Sequence, residues 1–255
     1  SAAAKLLQDD GWTVSGSDEG FYPPASTYVE KLGIEAHVGY RPENIPEGVS
    51  LVVLGRNARL APEVNPEVKA ALGLGTPVKS AAEVIAEVSS QATRRLVVAG
   101  SFGKSTVTAL VAWVLLQSGK DPGYFVGAMP MGMEHTAQKG AGGFFALEGD
   151  EYPSAHDDFR AKFLHYRPHD VILTSLIHDH VNIYPTLELY LEPFRKLTHD
   201  LAADGLLLAC IDNGDTLPLL AETPARALTY SLEHARPTWH ARDITFGETT
   251  SFTLM

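Results

Sequence analysis

The sequence has a single cysteine, so the chain cannot form an internal disulfide bond. This residue, Cys210, lies within an apolar run, where a buried thiol is expected and a reactive nucleophile is not. A chain without a disulfide framework fits a reducing compartment, and we expect a cytoplasmic protein.

The sequence also lacks long apolar runs, and it has fewer basic than acidic residues. No stretch of about 18 uncharged apolar residues occurs, so we predict neither a membrane span nor a signal peptide. The chain carries 20 Lys and Arg against 31 Asp and Glu, which gives a net charge of −11. Because nucleic acids and anionic membranes attract clustered cations, this balance argues against both as partners, and any phosphate must be bound locally.

Strand and helix patterns alternate along the chain in two blocks. The chain has 255 residues, 45% of them hydrophobic, which is enough for two cores. We predict a small Rossmann-like domain at residues 1–91, and the polar stretch 89–95 has linker composition. A helix at the start of the chain has no strand before it, so we expect the first strand of this domain and a glycine-rich turn upstream of Ser1. The clearest elements are a strand at 51–55 and helices at 65–71 and 80–88, the last with Ser80 as its N-cap.

The second block, residues 92–255, has the pattern of a doubly wound parallel sheet with flanking helices. The predicted strands are 96–99, 144–147, 171–176 and 205–211, and the predicted helices are 105–117 and 187–199. Short alternating runs at 238–246 and 251–255 predict a terminal β-hairpin.

The first predicted strand of this block leads into a glycine turn that opens an amphipathic helix. Backbone amides in such a turn, together with the helix N-terminus, form a donor array for phosphate. Lys104 is placed for the β and γ phosphates, and the Ser105 hydroxyl for Mg²⁺. The alternative interpretation is an ordinary strand-turn-helix connection that has two glycines and a lysine by chance and binds no phosphate. The candidate nucleotide contacts are Gly100, Ser101, Gly103, Lys104, Ser105 and Thr106.

The strand at 144–147 runs directly into a group of acidic residues that begins at Glu148. Parallel-sheet nucleotide enzymes hold Mg²⁺ at such strand ends, so we predict Glu148 as a metal ligand. A solvated acidic turn is the alternative interpretation.

The strand at 171–176 ends near His178, Asp179 and His180. We predict that His180 lies at the same sheet edge and contacts magnesium or phosphate. A zinc site is one alternative, but no further Cys or His follows at ligand spacing. A histidine that only fixes the strand end is another.

These three segments, in this order, resemble the central domain of the Mur ligase family. The match rests on the glycine turn at 100–106, the acidic run at 148–151 and the pair Asp179-His180. The run at 148–152 and the segment at 160–168 look most like the branch that joins UDP-N-acetylmuramate to a murein tripeptide. Residues 16–27 and 39–40 look like its UDP-sugar domain.

The resemblance implies a P-loop ATPase-type central domain and an ATP- and Mg²⁺-dependent amide ligase. In such an enzyme the muramoyl carboxylate is activated as an acyl phosphate, which the amine of the second substrate attacks. The implied partners are UDP-N-acetylmuramate and a short peptide or amino acid. The implied catalytic residues are Lys104, Glu148 and His180; the metal ligands Ser105, Glu148 and His180; and the substrate contacts Asp18 and Asn57.

The chain also departs from the family pattern. Where this chain has Ser101-Phe102, the family usually has Thr-His. The family also usually has an acidic residue on each side of the Asp-His pair, and this chain lacks both of them. A C-terminal amino-acid-binding domain is expected beyond Met255, so we expect the chain alone to be inactive. Two other functions stay open: a UDP-N-acetylmuramate–L-alanine ligase, and a nucleotide-binding module without catalysis.

Overall fold

A computed structural model describes residues 1–56, 58–234 and 236–255, with only the backbone described at Ala58. The predicted substrate contact Asn57 lies outside the described residues. Helices and parallel strands alternate along the chain, which confirms the predicted α/β class.

The first block forms two separate parallel sheets of two strands each among its described residues, β1 with β2 and β3 with β4. Helix α4 begins with the predicted cap, because the Ser80 hydroxyl accepts from the Glu83 amide at 3.2 Å. The Glu83 carboxylate in turn accepts from the Ser80 amide at 2.7 Å, which completes a capping box. The elements are α1 (Ala2–Asp9), β1 (Ser15–Asp18), α2 (Ala25–Lys31), β2 (Glu35–Val38), β3 (Val52–Leu54), α3 (Pro66–Gly73), β4 (Val78–Ser80) and α4 (Ala81–Ser89).

The second block forms a sheet of nine strands within the described part of the chain. The elements are β5 (Arg94–Ala99), α5 (Lys104–Gln117), β6 (Gly123–Phe125), β7 (Ala137–Gln138), β8 (Phe144–Glu148), β9 (Asp170–Leu173), α6 (Leu187–His199), β10 (Leu206–Cys210), α7 (Leu217–Glu222), β11 (Arg226–Ser231), β12 (Trp239–Thr245) and β13 (Ser251–Leu254). The strand order is β13-β12-β11-β10-β9-β5-β8-β6-β7. Only the edge strands β7 and β13 run antiparallel to their neighbours, and β13 pairs with β12 as the predicted hairpin.

Strand β5 lies at the centre of this sheet, between β9 and β8. Val98 in β5 pairs with Glu148 in β8 and with Ile172 in β9. The carboxyl ends of the three strands therefore meet at one edge, which is where ligands bind in open parallel sheets.

The boundary between the predicted domains 1–91 and 92–255 stays a prediction, and two features of the structure bear on it. The main hydrophobic core is continuous across it, since buried Leu6 and Ile85 from the first block belong to the same cluster as Val97 and Phe194. The predicted linker is wrong at both ends, because Ser89 closes α4 and β5 begins at Arg94. Charged residues can begin a strand when they are paired, and the Arg94 guanidinium binds the Asp170 carboxylate at 2.6 and 2.7 Å.

A membrane-spanning helix is not found in the described part of the chain. The longest helix, α5, has 14 residues, too few to cross a bilayer.

Candidate nucleotide-binding site

The turn between β5 and α5 depends on glycine at two positions. Gly100 has φ +133°, and a Cβ there would lie 2.4 Å from the Thr174 hydroxyl and 2.6 Å from the Ser175 carbonyl oxygen. Gly103 is the N-cap of α5 and has φ +80°, in the left-handed region that favours glycine. The turn therefore requires glycine at position 100 and favours glycine at position 103.

The first half of the turn is held by the segment that follows β9. The Ser101 amide donates to the Ser175 carbonyl at 2.8 Å, and the Phe102 amide donates to the Ser175 hydroxyl at 3.3 Å. The Ser101 hydroxyl lies 2.7 Å from the Ile177 carbonyl and 2.8 Å from the Tyr190 hydroxyl. Ser101 thus holds the loop in place, and its predicted contact with nucleotide stays a prediction.

The second half of the turn supplies the free donors. The first amides of a helix have no intrahelical carbonyl partner, so those of Lys104, Ser105 and Thr106 are available to an anion at the start of α5. The Thr106 side chain is exposed, and no hydrogen bond holds it among the described residues. The amides that an anion could reach are therefore those at the helix start, and the predicted nucleotide contacts of this turn stay a prediction.

The Lys104 side chain is turned back along the loop. Its Nζ donates to the Gly100 carbonyl at 2.7 Å and lies 3.1 Å from a carboxylate oxygen of Glu151. The Glu151 side chain is only 1% exposed, and a buried carboxylate needs a cationic partner. Glu151 is a functional candidate that the sequence reasoning missed, although it belongs to the acidic run that the sequence singled out.

The Ser105 hydroxyl and the Glu148 carboxylate meet beside Lys104. The hydroxyl donates to one oxygen of Glu148 at 2.8 Å, and the Gly127 amide donates to the other at 2.6 Å. A hydroxyl and a carboxylate are hard oxygen ligands of the kind that Mg²⁺ takes. The two residues therefore fit the ion that the sequence predicts for them.

His180 joins the site through Glu151. Its Nε2 lies 2.8 Å from the Glu151 carboxylate, and its Nδ1 lies 2.9 Å from the Tyr152 hydroxyl. The three predicted metal ligands are therefore not all in contact with one another: Ser105 contacts Glu148, whereas His180 contacts Glu151, which was not predicted as a ligand. Within the described residues no group of three or more His, Cys, Asp and Glu could hold a metal ion.

The zinc alternative is not supported by the placement of the two histidines. The Nε2 of His178 is hydrogen-bonded to the Tyr184 carbonyl at 2.7 Å, whereas His180 binds Glu151. The two rings have different partners and do not converge on one ion.

Asp18, the predicted substrate contact, lies at the carboxyl end of β1. It is exposed, and one of its carboxylate oxygens accepts from the Glu19 amide at 2.7 Å. Burial, with the nearby Asp18 charge, raises the pKa of Tyr40. No hydrogen bond or ion pair between described residues joins Asp18 to the turn at 100–106, so its role stays a prediction.

An apolar groove of 560 Å³ opens next to the start of α5. It extends along the outer face of that helix and the loop after β6, so a ligand in it would lie beside the glycine turn. Its lining residues include Ser105, Thr106, Trp113, Val126, Met129 and Met131.

Two family profiles match this chain. Residues 1–93 match the profile described as "Mur ligase family, catalytic domain", and residues 98–255 match "Mur ligase middle domain".

Two individual relatives are ligases of different kinds. The chain is 36% identical over 205 residues to UDP-N-acetylmuramate–L-alanyl-γ-D-glutamyl-meso-2,6-diaminoheptandioate ligase of Escherichia coli, a match that covers 80% of the chain and 44% of the relative. It is 33% identical over 248 residues to UDP-N-acetylmuramate–L-alanine ligase of Renibacterium salmoninarum, with coverage of 95% and 50%. The chain thus spans about half the length of the curated relatives it matches.

A solved structure shows the same architecture. The UDP-N-acetylmuramate:L-alanyl-γ-D-glutamyl-meso-diaminopimelate ligase from Neisseria meningitides superposes with a TM-score of 0.87 at 29% identity. The superposition covers 100% of this chain and 79% of that one.

Proposed function

Because this chain belongs to the Mur ligase family, we propose that it provides the UDP-sugar-binding and ATP-binding parts of a cytoplasmic amide ligase. The proposed reaction joins the carboxylate of UDP-N-acetylmuramate to the amine of a murein tripeptide. Carboxylates and amines do not condense in water, so the carboxylate has to be activated first, here as an acyl phosphate.

The observation that carries this proposal is the convergence of Lys104, Ser105 and Glu148 at one sheet edge. Bound ATP with Mg²⁺ would supply the phosphoryl group that activates the carboxylate. The amides at the start of α5 would hold the phosphates, and Lys104 would offset their charge next to the anionic substrate. Ser105 and Glu148 would hold the metal ion, since their oxygen atoms already lie 2.8 Å apart.

The burial of Glu151 supports a catalytic role for this edge of the sheet. A buried acidic side chain next to a P-loop lysine costs free energy unless both charges are satisfied, and structural cores rarely include such a pair. Here Lys104 and His180 both contact the carboxylate, at 3.1 and 2.8 Å. This edge of the sheet is therefore organised around charged groups.

The choice of a tripeptide as the amine substrate rests on a resemblance, since residues 148–152 and 160–168 look most like the branch of the family that joins UDP-N-acetylmuramate to a murein tripeptide. The acidic run continues into Tyr152 and a loop that returns at Lys162, whose ammonium binds the Asp150 carboxylate at 2.6 Å. A relative of each kind of ligase has similar identity to this chain, 36% and 33%, so the alternative is the alanine ligase.

The test uses the full-length gene product with ATP, Mg²⁺ and UDP-N-acetylmuramate. Product mass is compared after incubation with the tripeptide, with L-alanine, or with neither. The proposal predicts a product with the tripeptide. A product with alanine alone would move the assignment to the alanine ligase, and nucleotide binding without any product would favour a module without catalysis.

A further inference from the structure

Three arginines lie at the amino edge of the large sheet, the edge opposite to the glycine turn. Arg94 and Arg95 begin β5, and Arg167 lies just before β9. The two strands are neighbours, and the His169 amide continues their pairing by donating to the Arg95 carbonyl at 2.9 Å. Three cationic side chains are thus brought to one edge of a chain whose net charge is −11.

Only one of these three arginines has an acidic partner within the part of the chain that the structure describes. The Arg94 guanidinium binds the Asp170 carboxylate at 2.6 and 2.7 Å. Successive side chains of a strand point to opposite faces of the sheet, so Arg95 is directed away from this carboxylate. Neither Arg95 nor Arg167 makes an ion pair with a described carboxylate. Two positive charges therefore lack a counter-ion from the described residues.

The Arg95 side chain also has an unpaired hydrogen-bond donor. The side chain is half-buried, and its Nε atom is buried without a hydrogen-bond partner among the described residues. Burial and the nearby positive charge of Arg167 lower the pKa of Arg95. A buried donor without a partner costs free energy, and most such groups in native proteins are paired with protein, water or a ligand. An anion that contacts both guanidinium groups would offset this cost.

The number of charges and donors indicates the kind of anion. A guanidinium group presents its N–H donors as a planar fork that fits two oxygen atoms. Two such groups match a doubly charged anion with three or more oxygens, and a phosphate group carries about −1.5 to −2 near pH 7. A carboxylate has one negative charge and two oxygens, so it would neutralise only one of the two arginines.

We propose that Arg95 and Arg167 form an anion site that binds a phosphate dianion, either free phosphate or the terminal phosphate of a nucleotide. The site lies at the amino end of β5, whereas the glycine turn follows the carboxyl end of the same strand. A strand of six residues is about 20 Å long, so one phosphate group cannot serve both places. The proposal does not depend on the ligase function.

The experiment is ¹H–¹⁵N NMR of the arginine Nε–H groups in the ¹⁵N-labelled chain, titrated with sodium phosphate at constant ionic strength. The Arg95→Gln spectrum identifies the signal of Arg95. We expect this signal to shift in a saturable manner and its proton to exchange more slowly with water, because the buried Nε gains an acceptor. Sodium acetate should need about tenfold higher concentration for the same shift, since it carries one charge.

A parallel titration with UDP distinguishes the two sources of the phosphate group. A half-maximal shift at a lower concentration of UDP than of phosphate would assign the site to a nucleotide. The reverse order would assign it to free phosphate. Either order supports a phosphate site.

Arg167→Gln keeps the Arg95 signal as a reporter and removes the second cation. The phosphate concentration at half-maximal shift should rise about tenfold, because a charge-assisted contact is lost. Arg226→Gln is the matched control. Arg226 is an exposed arginine that begins β11 at the same edge of the sheet, two strands away from β9, and its loss changes the net charge equally. This variant should bind phosphate like the native chain.

Three results would overturn the proposal. The first is an Arg95 signal that shows no saturable shift with phosphate or UDP, or that responds to acetate at the same concentration. The second is equal weakening in Arg167→Gln and Arg226→Gln, which would show a general effect of charge. The third is a response that disappears in Lys104→Ala, because the shift would then originate at the glycine turn. An unchanged response in that variant would support a separate site, whether or not the proposed nucleotide site is correct.

Discussion

The hydroxyl oxygen of Ser105 lies 2.8 Å from a carboxylate oxygen of Glu148, although the two residues are 43 positions apart in the sequence. Ser105 is in the first turn of α5 and Glu148 is the last residue of β8. The parallel pairing of β5 with β8 brings them together, since the glycine turn carries the chain from the end of β5 directly into α5. A hydroxyl and a carboxylate from two distant segments thus form the oxygen pair expected to hold Mg²⁺.

Ser105→Ala should remove most of the effect of magnesium on nucleotide binding. The loss of one oxygen ligand is expected to reduce the Mg²⁺-dependent gain in affinity about tenfold, equivalent to roughly 1.4 kcal/mol. Calorimetry with and without Mg²⁺ measures this gain. Ser118→Ala is the control, because Ser118 lies at the other end of the same helix and its hydroxyl donates only to the Val114 carbonyl. An equal magnesium effect in Ser105→Ala and the native chain would exclude Ser105 as a ligand.

Two glycine substitutions in the turn should differ in their effect on the free energy of unfolding. Gly100→Ala combines φ +133° with a Cβ at 2.4 Å from the Thr174 hydroxyl, so we expect a loss of at least about 2 kcal/mol. Gly103→Ala has φ +80° but nothing within 4 Å of the new Cβ, so the expected loss is about 1 kcal/mol. Urea unfolding measures both. Equal losses would show that the contact with Thr174 does not constrain the loop.

The Asp158 carboxylate should contribute to stability in a pH-dependent manner. Hydrogen bonds from the Arg160 guanidinium lower the pKa of Asp158 from 3.8 to about 2. A carboxyl group whose pKa is lowered by folding stabilises the folded state at any pH above its pKa in the unfolded chain. This contribution is lost as the pH falls from about 4 to about 2. The Asp158→Asn variant should therefore be less stable than the native chain at neutral pH. Its free energy of unfolding, measured with urea, should also change less with pH across this window.

The control for this prediction is Asp157→Asn. Asp157 is the exposed neighbour of Asp158, so its substitution should leave the pH profile of the native chain unchanged. If Asp158→Asn kept the same pH profile as the native chain between about 4 and 2, the ion pair with Arg160 would have no measurable effect on folding.

Much of the fold could be predicted from local patterns in the sequence. Helix α6 occupies the predicted residues 187–199, because its apolar residues recur at helical spacing and Thr186 caps its start at 3.3 Å from the Leu189 amide. The Ser80 cap and the terminal hairpin are confirmed for similar reasons. Each of these elements is defined by residues close together in the chain.

The short strands could not be predicted in this way. Strand β6 has three residues, too few to show a period of two. Its first residue, Gly123, is a weak strand former, and it is needed because a Cβ there would lie 2.2 Å from the Phe145 ring. That requirement depends on the neighbouring strand and cannot be read from the local sequence.

The candidate site shows the same limit. The sequence placed Lys104, Ser105, Glu148 and His180 at one edge of the sheet, because each follows or ends an apolar strand. Which of them touch depends on strand register and on loop conformation, including the positive φ of His180. For this reason the pairing of His180 with Glu151, and the role of Glu151 as the counter-ion of Lys104, required the structure.

The most direct test of the nucleotide site is the affinity of the chain for a non-hydrolysable ATP analogue with Mg²⁺ before and after Lys104→Ala, measured by calorimetry. The variant is expected to bind at least about tenfold more weakly, because a charge-assisted contact with phosphate is lost. The double variant Lys104→Ala/Glu151→Gln should show the same loss and removes the buried charge that Lys104→Ala leaves unpaired. Lys69→Ala, at an exposed lysine of α3, should bind like the native chain. Unchanged affinity in both folded Lys104 variants would contradict the assignment of residues 100–106 as the phosphate site.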